Sequence, residues 1–401
     1  MSNESGHTKM KRILLFSLSY YPRVSGAEIA VKEITDRISP EDIEFHMVTM
    51  RFSKMDVAEE QIGNVRVYRV GSSGSYLSKI LYIPRAALKA RSLHKEKKFD
   101  AFWALMSYMV LPIMLLRMSG LRLPYVLTLQ DGDPFAHVFS RPHIRPFKAL
   151  LSKGFKEAAV VQVISNYLGS WMQNVGYTGA VEVIPNGVDV ALFSKQIPTV
   201  EVEACKQKIG KKEGEVWLVH TGRLVKKNSL DTVIRALPLV SKNIHFLLVG
   251  DGVEKRSLRD LSLALQVEER VHFIGNVDNK ELPTFLAACD IFIRPSLTEG
   301  LGISFLEAMA VGLPVVATQE GGITDFLFDA KRNPEKQSTG FAVNVESPEQ
   351  IAQAVEEILA NPDQTRKVIS NAQALVKQKY DWDLIAKDMR ERVFARVLLT
   401  K

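Results

Sequence analysis

The sequence predicts two doubly wound α/β domains in tandem, and three observations carry that reading. Short apolar runs alternate with longer stretches of helical period along the whole chain, as βαβ units require. The alternation lapses in a polar, mixed stretch, residues 194–214, and then starts afresh. The residues with unusual chemistry fall in the loops after the apolar runs, where open parallel sheets bind ligands.

In the first half, strands are expected at 13–18, 44–49, 65–70, 101–104, 125–129, 160–164 and 181–184. A helix is expected over 26–38, where Ala27, Ala30, Val31, Ile34 and Ile38 repeat near a 3.6-residue period before Pro40. An uncharged, strongly apolar run, 101–116, lies between Asp100 and Arg117 and contains Pro112. It is shorter than the roughly 20 residues a spanning helix needs, and reads as a strand followed by a buried helix start. The second half predicts strands at 216–220, 244–249, 271–274, 291–294, 314–317 and 340–343. Its helices are expected at 230–240, 253–265, 281–288, 303–311, 348–360 and 362–377. The domains are therefore read as 1–192 and 193–380, with a linker near 190–200 and a final helix, about 381–401, packing back on the first domain.

Composition narrows the function. The 401 residues carry a net charge of +7. Residues 1–190 hold 24 Lys+Arg against 17 Asp+Glu, whereas 191–401 hold 28 of each, so the whole excess lies in the first half. A one-sided positive field suits an anionic partner: a membrane surface, a phosphorylated substrate or nucleic acid. Cys205 and Cys289 are the two cysteines, too few for a disulfide framework or a Cys-rich zinc site, and they fit a reducing cytosol. The apolar run 13–20 follows a polar, basic start and has no small-residue cleavage pattern, so it reads as a strand and not a signal peptide.

Three loops carry candidate chemistry. Gly250-Asp251-Gly252 lies between a strand and a helix, where glycine permits close backbone approach to a ligand. It is not a GxGxxG fingerprint, so a nicotinamide cofactor gains no support. Gly222-Arg223-Leu224-Val225-Lys226-Lys227-Asn228 places cations just beyond a strand, which suits a diphosphate as well as a solvated turn. The third loop, Arg294 to Glu307, contains Glu299, Gly300 and Gly302 before a helix. Backbone N–H groups around Gly302, Ile303 and Ser304 offer a phosphate site. Glu299 and Glu307 are acceptor-only carboxylates suited to sugar and ribose hydroxyls.

These residues resemble glycosyltransferase family 4, the retaining, sugar-nucleotide-dependent enzymes of the GT-B fold, also called glycosyl transferases group 1. The resemblance extends over nearly the whole chain. It is carried further by Ser25-Gly26-Ala27-Glu28, Pro185-Asn186-Gly187-Val188-Asp189, Phe273-Ile274-Gly275 and Gly321-Gly322-Ile323. It implies an interdomain cleft in which the Gly26 loop approaches the donor diphosphate and the acceptor. Arg223 and Lys227 neutralise the leaving diphosphate, with Lys226 as the alternative. Glu299 binds the donor sugar and Glu307 the ribose. The backbone around Gly302–Ser304 contacts the distal phosphate, Gly250 lies close to the donor, and Ile274 flanks the base.

Three positions depart from the family pattern. Its usual Gly-Gly pair is Ser25-Gly26 here, the place of its usual lysine holds Asn228, and the place of its N-domain histidine holds Gln130. Glutamine does not titrate, so any role needing a general base there passes to Asp131 or is absent. Ser25, Gln130 and Asp131 are the acceptor-side candidates. Asp131-Gly132-Asp133 has a metal-like spacing but lies in the acceptor half, so the expected reaction uses no metal and no cofactor, the nucleotide-sugar being a substrate. Retention follows from the resemblance: same-face attack, with the leaving phosphate taking the acceptor's proton.

The basic excess clusters in Lys79, Arg85, Lys89, Arg91, Lys95, Lys97 and Lys98, interleaved with Leu77, Ile80, Leu81, Ile83, Ala86 and Leu88. A second patch contains Arg141, His143, Arg145, Lys148, Lys153 and Lys156. A basic amphipathic segment suits an anionic membrane surface. Nucleic acid is not expected, because no reader module accompanies the charge. The expected enzyme is thus cytoplasmic, peripheral on the inner membrane face, and moves sugar from a UDP- or GDP-sugar to a lipid-linked or anionic glycan acceptor in cell-envelope glycan synthesis. Alternatives from other classes are a sugar-nucleotide epimerase of related fold and a non-catalytic nucleotide-sugar-binding protein.

Overall fold

The computed structural model describes residues 10–140 and 144–400. Arg141 and His143 of the second basic patch lie outside the described residues. The chain forms two compact units, Met1–Asn186 with Asp383–Lys401, and Gly187–Trp382.

The first unit is built on β1 (Lys11–Phe16), β2 (Ile43–Met50), β3 (Glu59–Ile62), β4 (Val65–Val70), β5 (Ala101–Leu105), β6 (Tyr125–Leu129), β7 (Val160–Val163) and β8 (Ala180–Val183). Their order in the sheet is β3-β4-β2-β1-β5-β6-β7-β8. Every pairing is parallel except β3 with β4. The central strands are continuous apolar runs because helices cover both faces of such a sheet. Ile13, Leu14, Leu15 and Phe16 are all fully buried. β3 was not expected from the sequence. It is a polar edge strand whose hairpin turns at Gly63-Asn64, with Ile62 opposite Val65. The segment Asp383–Lys401 belongs to this unit. Phe394 stacks edge-on to Trp103 with ring centroids 4.9 Å apart, and Arg392 and Arg396 both pair with Glu182 on β8.

The second unit contains β9 (Val216–Thr221), β10 (Ile244–Val249), β11 (Val271–Gly275), β12 (Ile291–Arg294), β13 (Val315–Thr318) and β14 (Phe341–Val343). All are parallel, in the order β11-β10-β9-β12-β13-β14. This is the doubly wound order in which the chain runs outward from the first strand and then crosses to its other side. The switch point therefore lies between β9 and β12. The first unit has the same arrangement between β1 and β5.

The division between units falls after Asn186, not after 192. Val188 N–H donates to the Tyr380 carbonyl oxygen at 2.7 Å, and Phe193 is buried, which ties 187–193 to the second unit. The stretch read as a linker near 190–200 carries the helices Val190–Phe193 and Thr199–Ile209. The longer helix buries only Cys205 and Ile209, so its apolar period is too sparse to stand out.

Candidate active site

At the end of β9, Gly222 N–H donates to Val249 O at 2.9 Å and Leu224 N–H to Asp251 O at 3.0 Å, laying the Gly222–Asn228 loop along the Gly250–Gly252 turn. Within that loop Arg223 is exposed. Lys226 Nζ pairs with Asp231 at 2.9 Å, whereas Lys227 Nζ points to Glu299 Oε1 at 3.7 Å. Asn228 is buried and its Nδ2 donates to Arg223 O at 2.6 Å. The residue that departs from the family pattern thus braces the loop from within. The backbone joins the loops as well, Leu297 N–H donating to Lys227 O at 2.8 Å.

Arg294, the last residue of β12, is the centre of the second loop. It is buried, and its three donor nitrogens fan outward. Nη2 donates to Glu299 Oε2 at 2.5 Å, Nη1 to Ser304 Oγ at 2.8 Å, and Nε to Ser296 Oγ at 3.2 Å. The guanidinium lies 4.2 Å from the centroid of the Phe305 ring. Gly300 N–H adds a bond to Glu299 Oε1 at 3.1 Å, and Gly322 N–H holds the Glu299 carbonyl oxygen at 2.9 Å. The Gly321-Gly322-Ile323 motif therefore acts through the backbone of Glu299. At Gly302, with φ of +90°, a Cβ would sit 2.6 Å from the Phe305 ring and 2.8 Å from Arg294 Nη2, so glycine here makes room for the arginine.

Gly302 precedes the helix Ile303–Val311, and no side chain caps that helix. Glu307 projects from its second turn. It keeps some solvent access, yet the dense protein around it pushes its carboxyl up to about 7, with the Arg294 charge opposing the shift. Below the loops, His220 is fully buried, and neither ring nitrogen has an aligned hydrogen bond. Burial first, and the Arg294 charge second, hold its pKa well below the usual histidine range, so the ring is neutral. Ile274 is exposed at the end of β11 beside Phe273, whose ring carries the Arg259 guanidinium at 5.0 Å.

The first unit holds a separate group of candidates. Ser25 precedes the helix Gly26–Asp36, and Glu28 anchors that turn. Its Oε2 accepts from Ser25 N–H at 2.7 Å and from Ser25 Oγ at 2.5 Å, and its Oε1 from Ser19 Oγ at 2.6 Å. After β6, Gln130 Oε1 accepts from Asn186 Nδ2 at 3.0 Å. Buried Asp131 accepts from Ser107 Oγ at 2.8 Å. Ser107 follows Met106, whose φ of +74° is strained for a side-chain-bearing residue. Among the described residues, no group of three or more His, Cys, Asp or Glu side chains is arranged to hold a metal ion.

The basic amphipathic segment is the helix Tyr76–Lys97. It buries Tyr82, Ala86, Ala87, Ala90 and Leu93, and exposes Tyr76, Leu77, Ile80, Leu81 and Leu88 beside the exposed cations Lys79, Arg85, Arg91 and Lys95. No helix among the described residues is long and apolar enough to cross a membrane.

Sequence reasoning placed Arg223, Lys227, Glu299, Gly302, Ser304 and Glu307 in segments that follow two separate strands, and the second unit sets those segments side by side after β9 and β12. It gave Arg294, Ser107 and Asn186 no part of their own. Arg294 had a signal in hindsight: it is a charge ending the apolar run Ile291-Phe292-Ile293, whose residues are all fully buried.

Comparison with known proteins bears on the family and the fold. The family model described as "Glycosyl transferases group 1" matches residues 201–375, and "Glycosyltransferase Family 4" matches residues 24–192. An uncharacterised glycosyltransferase of Methanocaldococcus jannaschii is 25% identical over 400 residues, covering 94% of this chain and 96% of the relative. A GDP-mannose-dependent alpha-(1-6)-phosphatidylinositol monomannoside mannosyltransferase of Mycobacterium tuberculosis is 32% identical over 239 residues, or 57% of this chain and 59% of the relative. In fold, the chain matches sucrose-phosphate synthase from Thermosynechococcus elongatus with a TM-score of 0.81 at 19% identity, covering 96% of this chain and 99% of that one. With one half matched by each family model, and both halves folded as doubly wound GT-B units, the chain belongs to glycosyltransferase family 4.

Proposed function

We propose that the enzyme transfers a sugar from a UDP- or GDP-sugar to a lipid-linked or polysaccharide acceptor of the cell envelope, with retention of configuration. The observation that carries this reading is the Glu299 carboxylate, held between Arg294 Nη2 and Lys227 Nζ at the switch point of the second unit. A carboxylate fixed by two cations and a backbone N–H is preorganised to accept hydrogen bonds from sugar hydroxyls without rearranging.

The rest of the donor site follows by chemistry. Glu307 accepts from the ribose diol, and Ile274 flanks the base. Gly250 lets backbone lie close to the donor. The N–H groups of Ile303 and Ser304 at the helix entrance bind the distal phosphate. As the anomeric C–O bond breaks, its electron pair goes to the phosphate oxygen. Arg223 and Lys227 stabilise that charge, so the step needs no metal. The acceptor hydroxyl attacks from the same face and gives its proton to the departing phosphate oxygen. In the first unit, the Gly26 turn, Ser25, Gln130 and Asp131 bind the acceptor, and Asp131 is the carboxylate able to assist proton transfer.

Two features support a lipid acceptor at the inner membrane face. The mycobacterial relative is named for a phosphatidylinositol mannoside, and the helix Tyr76–Lys97 exposes apolar and cationic side chains together. A panel of UDP-, GDP- and ADP-sugars in a thermal-shift and donor-turnover assay tests the donor reading. The right donor, at about 100 times its Kd, adds about 2.7 kcal/mol of stability. Glu299→Gln should abolish most turnover with the fold intact. Full activity in that variant, or no response to any donor, refutes the assignment.

A further inference from the structure

We propose that Arg294 is the positioning residue of the donor site: it locks the Glu299 carboxylate and the Ser304 hydroxyl into one frame without itself touching substrate. The proposal rests on the reading of Glu299 as a ligand of the donor sugar.

Glu299 lies on a loop and Ser304 in the first turn of a helix, so nothing local keeps their side chains in register. Arg294 does, through Nη2 at 2.5 Å and Nη1 at 2.8 Å. A guanidinium is planar, so fixing one bond fixes the direction of the next. Its own plane is fixed by Phe305 at 4.2 Å and by Ser296 at 3.2 Å. The absence of a side chain at Gly302 is part of the same device, since a Cβ there would fall 2.8 Å from Nη2.

A purely structural reason for this residue is weak. The three residues before it on β12 are apolar and fully buried, and a fourth apolar residue would fill the position. Buried ion pairs often give no more stability than apolar residues of similar volume. Arg294 spends its two terminal nitrogens on two residues of the donor site. Lysine offers a point charge on a flexible stem and could not hold both partners in one plane.

The test separates the two ends of the donor. Calorimetry would compare R294M, E299Q, the double variant and the wild type. The probes are whichever of UDP and UDP-glucose, GDP and GDP-mannose, or ADP and ADP-glucose stabilises the wild type. The bare nucleoside diphosphate lacks the sugar that Glu299 grips. Its phosphate meets the backbone N–H of Ser304, which the helix fixes, and not the hydroxyl that Arg294 holds, so its affinity for R294M should stay within about twofold of wild type. Turnover in R294M should fall by about 10²–10³-fold, and the double variant should be no slower than E299Q alone. R294K should recover part of kcat while KM for the donor stays raised. If R294M does not fold, R294K carries the same comparison. Loss of bare nucleoside diphosphate binding would make Arg294 a phosphate ligand or a support of the whole fold, and overturn the proposal. So would losses that multiply in the double variant. An active R294M beside an inactive E299Q refutes the positioning role alone, whereas a fully active E299Q removes the reading on which it rests.

Discussion

The carbonyl oxygen of Gly222 lies 2.0 Å from where a Cβ on Gly250 would have to sit. Two loops from neighbouring strands thus meet backbone to backbone beyond the ends of β9 and β10, and φ of +141° at Gly250 adds a second demand for glycine. Gly250→Ala should cost about 2–4 kcal/mol of stability, because both the clash and the backbone must be relieved. Chemical denaturation would measure this, and a loss below about 1 kcal/mol would mean that the loops separate easily.

Two exposed cations of the β9 loop differ in their partners and should differ in function. Arg223 is exposed, whereas Lys226 is engaged by Asp231 at 2.9 Å. Arg223→Ala should weaken nucleoside diphosphate binding by about tenfold or more, since a charge-assisted bond is worth roughly 1.5–3 kcal/mol. Lys226→Ala should change it less than about threefold, as expected for an exposed ion pair. Calorimetry on both variants decides, and the reverse order would move the diphosphate contact to Lys226.

Glu307 should make donor binding depend on pH. Its carboxyl is pushed up to about 7, so it is protonated below that value and becomes an acceptor-only carboxylate above it. Nucleoside diphosphate affinity should rise as pH increases through about 7, and Glu307→Gln should remove that component, leaving only the phosphate's own titration. Stability runs the other way. The folded state keeps this proton up to about 7, whereas an unfolded glutamate loses it near its ordinary value of 4.5. The group's contribution is therefore greatest at low pH and is lost as pH rises between those two values. Denaturation midpoints of wild type and Glu307→Gln across that window check the sign.

The exposed face of the helix Tyr76–Lys97 should bind anionic vesicles in a salt-sensitive way. Each cation near an anionic leaflet contributes about 1 kcal/mol. Changing Lys79, Arg85, Arg91 and Lys95 to glutamine should abolish vesicle sedimentation at low salt while leaving turnover of a soluble acceptor intact. Unchanged sedimentation would place any lipid contact elsewhere.

The elements that were legible in the sequence are those whose burial is dictated locally. The strand segments Ile13–Phe16, Phe246–Val249 and Ile291–Ile293 lie in two-sided sheets, so their side chains are apolar without interruption. β3 and the helix Thr199–Ile209 escaped notice because each buries little, and their positions depend on a neighbour already folded. In the site, Glu299, Gly302 and Glu307 were readable because all three belong to one strand–loop–helix segment.

The sequence by itself determined two doubly wound halves, the charge neutrality of the second, and the strand–loop–helix segment that carries Glu299. Only the tertiary structure decided what holds that carboxylate. Lys227 approaches it because β9 and β12 are neighbours across the switch point, a pairing between residues about seventy apart in the chain. The bond from Arg294 needed less distance but more geometry: an arginine at a strand end points outward in most sequences, and here the Phe305 ring and the missing side chain of Gly302 turn it inward. Composition and period record which residues are buried. They do not record which way a buried charge turns, because that is settled by the donors and acceptors that meet it after the chain has folded.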